Sequence, residues 1–182
     1  ISRTVKIFGA SVGRVEGYGT GILVSDDGMI LTGNGVFLNG FNTRVTLHNG
    51  RTYPARVVRR DTSLQLALLK IEAATPDYFE LKKEPLAQKG DWVIAISNAF
   101  KVAERAEPLS VTLGVLSLET RLTSRRRERE VIYDGELYLI DCITSNPGAA
   151  GGAVVTADGQ PFKSVSPTCR SEEHTSELQS PM

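Results

Sequence analysis

Residues 146–153 read Asn146-Pro147-Gly148-Ala149-Ala150-Gly151-Gly152-Ala153. Glycine at three of these positions is typical of a tight turn that exposes its backbone, because glycine adopts conformations that other residues avoid. Apolar segments predict a β-strand on each side of the turn, at Tyr138–Ile143 and at Ala153–Thr156. The sequence therefore predicts a glycine-rich turn between two strands at residues 146–153.

Short apolar segments separated by turn residues recur along the whole chain, and this pattern predicts an all-β fold. The predicted strands before residue 72 are Thr4–Ile7, Ser11–Val15, Thr20–Ser25, Met29–Thr32, Thr43–Leu47, Tyr53–Arg59 and Leu64–Ile71. Those after residue 90 are Trp92–Ile96, Ser110–Glu119, Tyr138–Ile143 and Ala153–Thr156. Asp26-Asp27-Gly28 and the two-residue turn Asn49-Gly50 each predict a β-hairpin.

The turn and the blocks upstream of it resemble the HtrA group of trypsin-like serine proteases, in order and in spacing, over residues 19–159. That family reads Asn-Pro-Gly-Asn-Ser-Gly-Gly-Pro where this chain has residues 146–153. The other blocks that carry the resemblance are Gly19–Val36, Arg60–Ile71, Gly90–Asn98 and Ser110–Ser117. The resemblance implies a trypsin-like double β-barrel.

The three positions of the family's catalytic triad hold residues that cannot perform its chemistry. The nucleophilic serine falls on Ala150, the histidine on Gly35 and the aspartate on Gln65. A serine needs a histidine to take its proton, and the carboxylate orients that histidine. Loss of the whole set lowers turnover by a factor on the order of 10⁶. The family's oxyanion-hole amides fall on Gly148 and Ala150, and these donors belong to the backbone.

The resemblance implies a first barrel over residues 1–83 and a second over residues 84–169, the latter incomplete at its C-terminal end. Residues 170–182 resemble one translated reading frame of a widely used short-read sequencing adapter, the alternative being a native polar tail. The chain also starts at Ile1 rather than at methionine. We therefore expect a gene fragment, with the native origin of Pro161–Cys169 left open.

Composition is that of an ordinary soluble globular protein, with 182 residues, 41% apolar residues and no net charge. The charge balance gives no indication of nucleic-acid binding. No apolar run approaches the ~20 residues of a membrane-spanning helix. Cys142 and Cys169 do not define a disulfide framework. We expect neither a metal nor an organic cofactor, because no cluster of His and Cys has ligand spacing.

No other residue is a convincing replacement for the triad. His48 lies at the predicted Asn49-Gly50 turn and His174 in the adapter-like tail. Cys142 has no histidine to serve as its base and is interpreted as a buried thiol. Asp61 is interpreted as a turn residue.

Two loops could carry function. The charged run 124–130 is either a docking patch or a solvated hairpin tip. The loop Ala99–Leu109, longer than the family's glycine turn, either reshapes the groove or is tolerated surface.

Three functions remain open from the sequence. The first is a pseudoprotease that binds extended peptide or unfolded protein without cutting it. The second is an active serine endopeptidase with an unidentified nucleophile, and the third is a structural module of a longer envelope protein. The resemblance also implies a bacterial origin, a periplasmic or envelope location, PDZ domains beyond the barrels and a homo-oligomer, often a trimer.

Overall fold

The all-β prediction is confirmed in the computed structural model, which describes residues 1–12, 15–81, 87–123 and 134–161. Within these ranges the chain forms ten strands and two short 3-10 helices, at Val36–Leu38 and Ala99–Lys101. The strands are β1 (Thr4–Val12), β2 (Val15–Leu23), β3 (Met29–Gly33), β4 (Arg44–Thr46), β5 (Thr52–Asp61), β6 (Leu66–Ile71), β7 (Trp92–Ser97), β8 (Ser110–Thr123), β9 (Asp134–Ile140) and β10 (Ala153–Thr156).

Six antiparallel strands close a barrel in the order β1-β2-β3-β6-β5-β4. Side chains along a strand alternate between its two faces, so β6 buries Ala67, Leu69 and Ile71 inside the barrel. The buried residues of this interior are Val5, Ile7, Leu23, Ile30, Phe37, Leu38, Val45, Leu47, Ala67, Leu69 and Ile71. Because the barrel is closed, each of its six described strands is paired on both sides.

The second half forms a four-stranded sheet in the order β10-β7-β8-β9. One face of this sheet buries a small cluster made of Ala87, Val93, Ala95, Leu116 and Cys142. On the other face, Ile96 and Val155 pack with Ile22 and Phe79 of the first half of the chain. This shared cluster joins the barrel and the sheet and leaves the 146–153 turn beside both.

Four local predictions need correction. The strand predicted at Tyr138–Ile143 instead runs over Asp134–Ile140. Ser11–Val15 is not one strand, because β1 ends at Val12 and β2 begins at Val15. The strand predicted from Leu64 begins at Leu66, because Gln65 has a φ of 54° that interrupts the extended backbone. The β4–β5 turn holds residues 48–50 rather than two residues, since the Leu47 amide donates to the Arg51 carbonyl.

The predicted domain boundaries stay predictions. The boundary after residue 83 lies in residues 82–86, outside the described part of the chain, and so do residues 162–169 and the adapter-like tail. The charged run 124–130 also lies outside it. Within the described ranges, no helix is long and apolar enough to cross a membrane.

A charged network ties β2, β4 and the loop after β7 together on the outside of the barrel. The Glu16 carboxylate contacts Arg44 at 2.6 Å and Lys101 at 3.0 Å. Both cations also lie against the ring of Phe8, which is 2% exposed. Burial raises the pKa of Glu16, but hydrogen bonds and charge attraction from Arg44 and Lys101 outweigh it and hold this pKa below its usual value.

This network predicts an acid-sensitive contribution to stability. Because the pKa of Glu16 is lower in the folded than in the unfolded chain, its stabilisation is complete above the usual carboxyl pKa and is lost as the pH falls through the lowered folded value. Thermal unfolding between about pH 6 and about pH 2 should show Glu16→Gln melting below the natural protein at the upper end, with the two curves converging at the lower end. A gap that stays constant across this range contradicts the assignment.

Candidate functional site

The 146–153 stretch forms the tight turn that its glycines predict. Gly148 and Gly151 have φ values of 84° and 82°, a region that side-chain-bearing residues rarely adopt. Space imposes the same choice, since a Cβ on Gly148 would collide with the Asn98 carbonyl and the Tyr18 ring. The turn is closed internally by the Ala149 amide, which donates to the Asn146 carbonyl at 3.1 Å.

Thr20 of β2 holds this turn against the barrel. Its hydroxyl donates to the Gly148 carbonyl at 2.6 Å, and its amide donates to the Ala150 carbonyl at 3.2 Å. The Thr20 hydroxyl also accepts from the Asn98 amide at 2.8 Å, and its carbonyl accepts from the Thr32 hydroxyl at 2.6 Å. Thr20 is fully buried, so each of these polar groups has a partner in place of water.

The two amides predicted to form an oxyanion hole, those of Gly148 and Ala150, have no hydrogen-bond acceptor among the described residues. The Pro147 carbonyl accepts from the Phe100 amide at 2.8 Å. In a trans peptide the carbonyl and the following N–H point in opposite directions, so the Gly148 N–H points away from Phe100. Over the described ranges, neither the Gly148 amide nor the Ala150 amide has an acceptor.

The other two predicted triad positions lie beside this turn. The amide of Asn34, next to Gly35, donates to the Gln65 carbonyl at 2.9 Å. A Cβ on Gly151 would lie only 2.8 Å from the amide nitrogen of Gly33, which brings the turn close to the same segment. The Gln65 side chain turns back and donates to the Thr62 carbonyl at 2.6 Å. The fold thus brings the segments that carry these three predicted positions close together, and Gly35, Gln65 and Ala150 themselves carry no ionisable or nucleophilic side chain.

Phe37 fills the space beside Gly35, and sequence reasoning missed it. The ring is 6% exposed. A Cβ on Gly35 would lie 2.5 Å from Cε1 and 2.7 Å from Cδ1 of this ring. The ring also leaves no room for a Cβ at Gly19, where Cζ would be 2.6 Å away. A larger residue at position 35 therefore requires Phe37 to move.

The remaining sequence candidates lie apart from the turn or are already engaged. His48 is exposed in the β4–β5 turn, without a hydrogen-bond partner among the described residues. The Asp61 carboxylate accepts from the amides of Ser63 and Leu64, each at 3.0 Å, which confirms its turn role.

Cys142 is buried, as expected. Its burial and the neighbouring Asp141 raise the pKa of the thiol, so the reactive thiolate is disfavoured. His174 and Cys169 lie outside the described residues, and the described part of the chain contains no group of three or more His, Cys, Asp or Glu arranged to hold a metal.

Comparison with known sequences establishes the family. The family described as "Trypsin-like peptidase domain" matches residues 19–162. The chain belongs to this family. A Chlamydia pneumoniae protein described as a probable periplasmic serine endoprotease, DegP-like, is 37% identical over 142 residues, which are 78% of this chain and 27% of that protein. The mitochondrial serine protease HTRA2 of Drosophila grimshawi is 32% identical over 146 residues, 78% of this chain and 32% of its own length.

Solved structures confirm the trypsin-like fold. The active form of the Rv3671c protease of M. tuberculosis superposes with a TM-score of 0.72 at 22% identity, covering 88% of this chain and 67% of that one. The HtrA-type protease AlgW, in a serine-to-alanine variant with a tripeptide, gives a TM-score of 0.68 at 26% identity, covering 88% and 49%. The chain spans about a quarter to a third of the length of the curated relatives named above.

The packing of Phe37 predicts a coupled effect of substitutions at positions 35 and 37. Gly35→His should destabilise the protein by about 1–3 kcal/mol, because the new side chain overpacks the site. Phe37→Ala should destabilise it by about 3–5 kcal/mol through cavity formation. The double variant should lose less stability than the two single variants together, by about 0.5–3 kcal/mol. The reason is that the imidazole can occupy the space left by the phenyl ring. Additive losses, measured by urea unfolding, contradict this packing.

Proposed function

We propose that this chain is a catalytically inactive trypsin-like peptidase domain that binds extended peptide or unfolded protein without cutting it. The observation that carries the proposal is the chemistry at the gathered positions Gly35, Gln65 and Ala150. None of these side chains can attack a carbonyl, and none can take a proton at neutral pH. Peptide hydrolysis by this family's mechanism requires both steps.

The turn offers what peptide binding needs even without a triad. The open amides of Gly148 and Ala150 can donate to a peptide carbonyl oxygen, a role that depends only on backbone shape. An extended peptide can further add to the edge of a sheet, where main-chain hydrogen bonds supply affinity. The tripeptide found with the AlgW variant supports a peptide as the class of ligand.

An active serine endopeptidase is the alternative that the relatives' names favour, since the Chlamydia protein is described as an endoprotease. It requires a nucleophile and a base at other positions of this chain. A structural module of a longer protein is the other alternative. The periplasmic description of the Chlamydia relative supports an envelope location for this chain, whichever of these functions it has. Assembly into a homo-oligomer stays a prediction.

The decisive experiment compares cleavage of casein by the natural protein with cleavage by a restored variant. The restored variant combines Gly35→His, Gln65→Asp and Ala150→Ser with Phe37→Ala, which frees space for the imidazole. We expect no cleavage by the natural protein and measurable cleavage by the restored one. Cleavage by the natural protein that persists through repeated purification and is blocked by a serine-directed probe overturns the proposal.

Peptide binding is tested with matched glycine variants and fluorescein-labelled, reduced casein as the probe. Gly151→Ala should weaken binding at least about tenfold, since the new Cβ collides with Thr20 and Thr32 and deforms the turn. Gly159→Ala is the control, because Gly159 also has a positive φ, of 77°, but nothing lies within 4 Å of its added Cβ. Fluorescence anisotropy measures both. Absent binding by the natural protein, or equal weakening by the two variants, contradicts a peptide site at the turn.

A further inference from the structure

The loop between β7 and β8, residues 99–109, is anchored to the rest of the structure by hydrogen bonds and ion pairs. We call this loop the strap. Asn98 fixes its start through two side-chain hydrogen bonds with Ala103. The Ala103 amide donates to Asn98 Oδ1 at 3.0 Å, and Asn98 Nδ2 donates to the Ala103 carbonyl at 2.9 Å. Both residues are fully buried. The strap therefore has one defined shape over its first turn.

Lys101 ties the strap to the barrel. Its ammonium group contacts the Glu16 carboxylate of β2 at 3.0 Å and lies 5.7 Å from the centre of the Phe8 ring of β1. A second carboxylate, that of Glu104 within the strap, lies at 3.3 Å. Only 25% of the Lys101 side chain is exposed, so the ion pair with Glu16 is partly shielded from solvent and salt.

Lys6 ties the barrel to the strap from the opposite direction. Its side chain leaves β1 and donates to the carbonyls of Arg105 and, at 2.7 Å, Glu107. Lys6 is 2% exposed, and a buried ammonium group is costly unless it is hydrogen-bonded. Burial lowers the pKa of Lys6, and the negative charge of Glu107 opposes this shift. The carbonyl groups of the strap thus offset the desolvation cost of burying the Lys6 ammonium group on this face of the barrel.

The anchored strap reaches the glycine-rich turn through a strained segment. Phe100 and Lys101 have φ values of 57° and 58°, which are unfavourable for residues other than glycine. In this conformation the Phe100 amide donates to the Pro147 carbonyl at 2.8 Å. That hydrogen bond fixes the Pro147–Gly148 peptide with its N–H directed away from the strap.

We propose that Lys6 and Lys101 are positioning residues, which hold the strap so that Phe100 sets the orientation of the Gly148 amide. The effect on the turn follows from contacts alone, whereas the effect on a ligand rests on the proposed peptide-binding function. Among the described residues, Lys6 forms no hydrogen bond with residues 146–153, and it reaches the turn by two routes. One route runs through the strap, and the other through Thr20, which pairs with Lys6 between β1 and β2 and bonds to the turn. Lys101 has no part in that strand pairing, so its substitution isolates the route through the strap.

Hydrogen–deuterium exchange of the free protein tests the positioning role without any ligand. In Lys6→Met and in the milder Lys101→Met, backbone amides of residues 99–104 and 146–152 should exchange at least about tenfold faster than in the natural protein. Lys70→Met is the matched control. Lys70 is also a largely buried barrel lysine, with 15% side-chain exposure, but it donates to the Asp27 and Ile71 carbonyls, away from the strap.

The outcomes separate the positioning role from general destabilisation. Faster exchange in both segments for the two strap variants, with Lys70→Met leaving both unchanged, supports the proposal. Unchanged exchange in 146–152 overturns it, as does an equal increase in Lys70→Met, which would report loss of barrel stability only.

Anisotropy with fluorescein-labelled, reduced casein then tests the consequence for binding. Lys6→Met should raise the Kd at least about tenfold while Lys70→Met leaves it unchanged. If exchange changes as expected but the natural protein binds no casein, the positioning role stands and the proposed function fails. If the natural protein binds and Lys6→Met binds equally well, the strap does not position the ligand-binding amides and the inference is wrong.

Discussion

Thr20 is the residue on which the arrangement of the site depends. Its amide, hydroxyl and carbonyl engage three separate parts of the chain: the glycine-rich turn, Asn98 at the end of β7 and Thr32 of β3. Because Thr20 is fully buried, loss of any one partner would leave a polar group without water or protein to satisfy it. Thr20, together with the hydrophobic cluster that joins the barrel and the second sheet, therefore fixes the position of the turn relative to both.

The sequence predicts the parts of this structure that depend on local pattern. β10 occupies Ala153–Thr156 as expected, and the β2–β3 hairpin forms around the predicted Asp26-Asp27-Gly28 turn. The glycines of the 146–153 turn also indicate its conformation correctly. In each case, alternation or a positive φ is encoded within a few neighbouring residues.

The sequence could not predict the features that depend on distant contacts. Lys6 alternates with apolar neighbours as an outward-facing, solvated residue would. Its hydrogen-bond acceptors among the described residues lie in the strap, about a hundred positions later. Phe37 reads as an ordinary core residue, and its effect on position 35 appears only when the 3-10 helix folds its ring over Gly19 and Gly35. Thr20 carried a weak signal, since it lies between two glycines, but its partners lie on three other segments. Long-range packing overrides local pattern at all three positions.

Two kinds of chemistry at this site have different tolerance for change. A triad resides in side chains, so three substitutions are enough to remove one. At Gly35, the position predicted for the histidine, the Phe37 ring occupies the space that an added Cβ would need. Backbone donors depend instead on everything that shapes the turn. That shape includes two residues of the strap held in left-handed conformations, which cost on the order of 1–3 kcal/mol each, and a buried lysine. Strain of this size persists only where surrounding contacts fix the backbone. Here these contacts are the hydrogen bonds of Lys6, the ion pairs of Lys101 and the two hydrogen bonds between Asn98 and Ala103. Stability is thus given up for the orientation of the Gly148 amide, while the positions predicted for a triad, Gly35, Gln65 and Ala150, hold no catalytic group. This contrast supports the binding role that we propose for the turn.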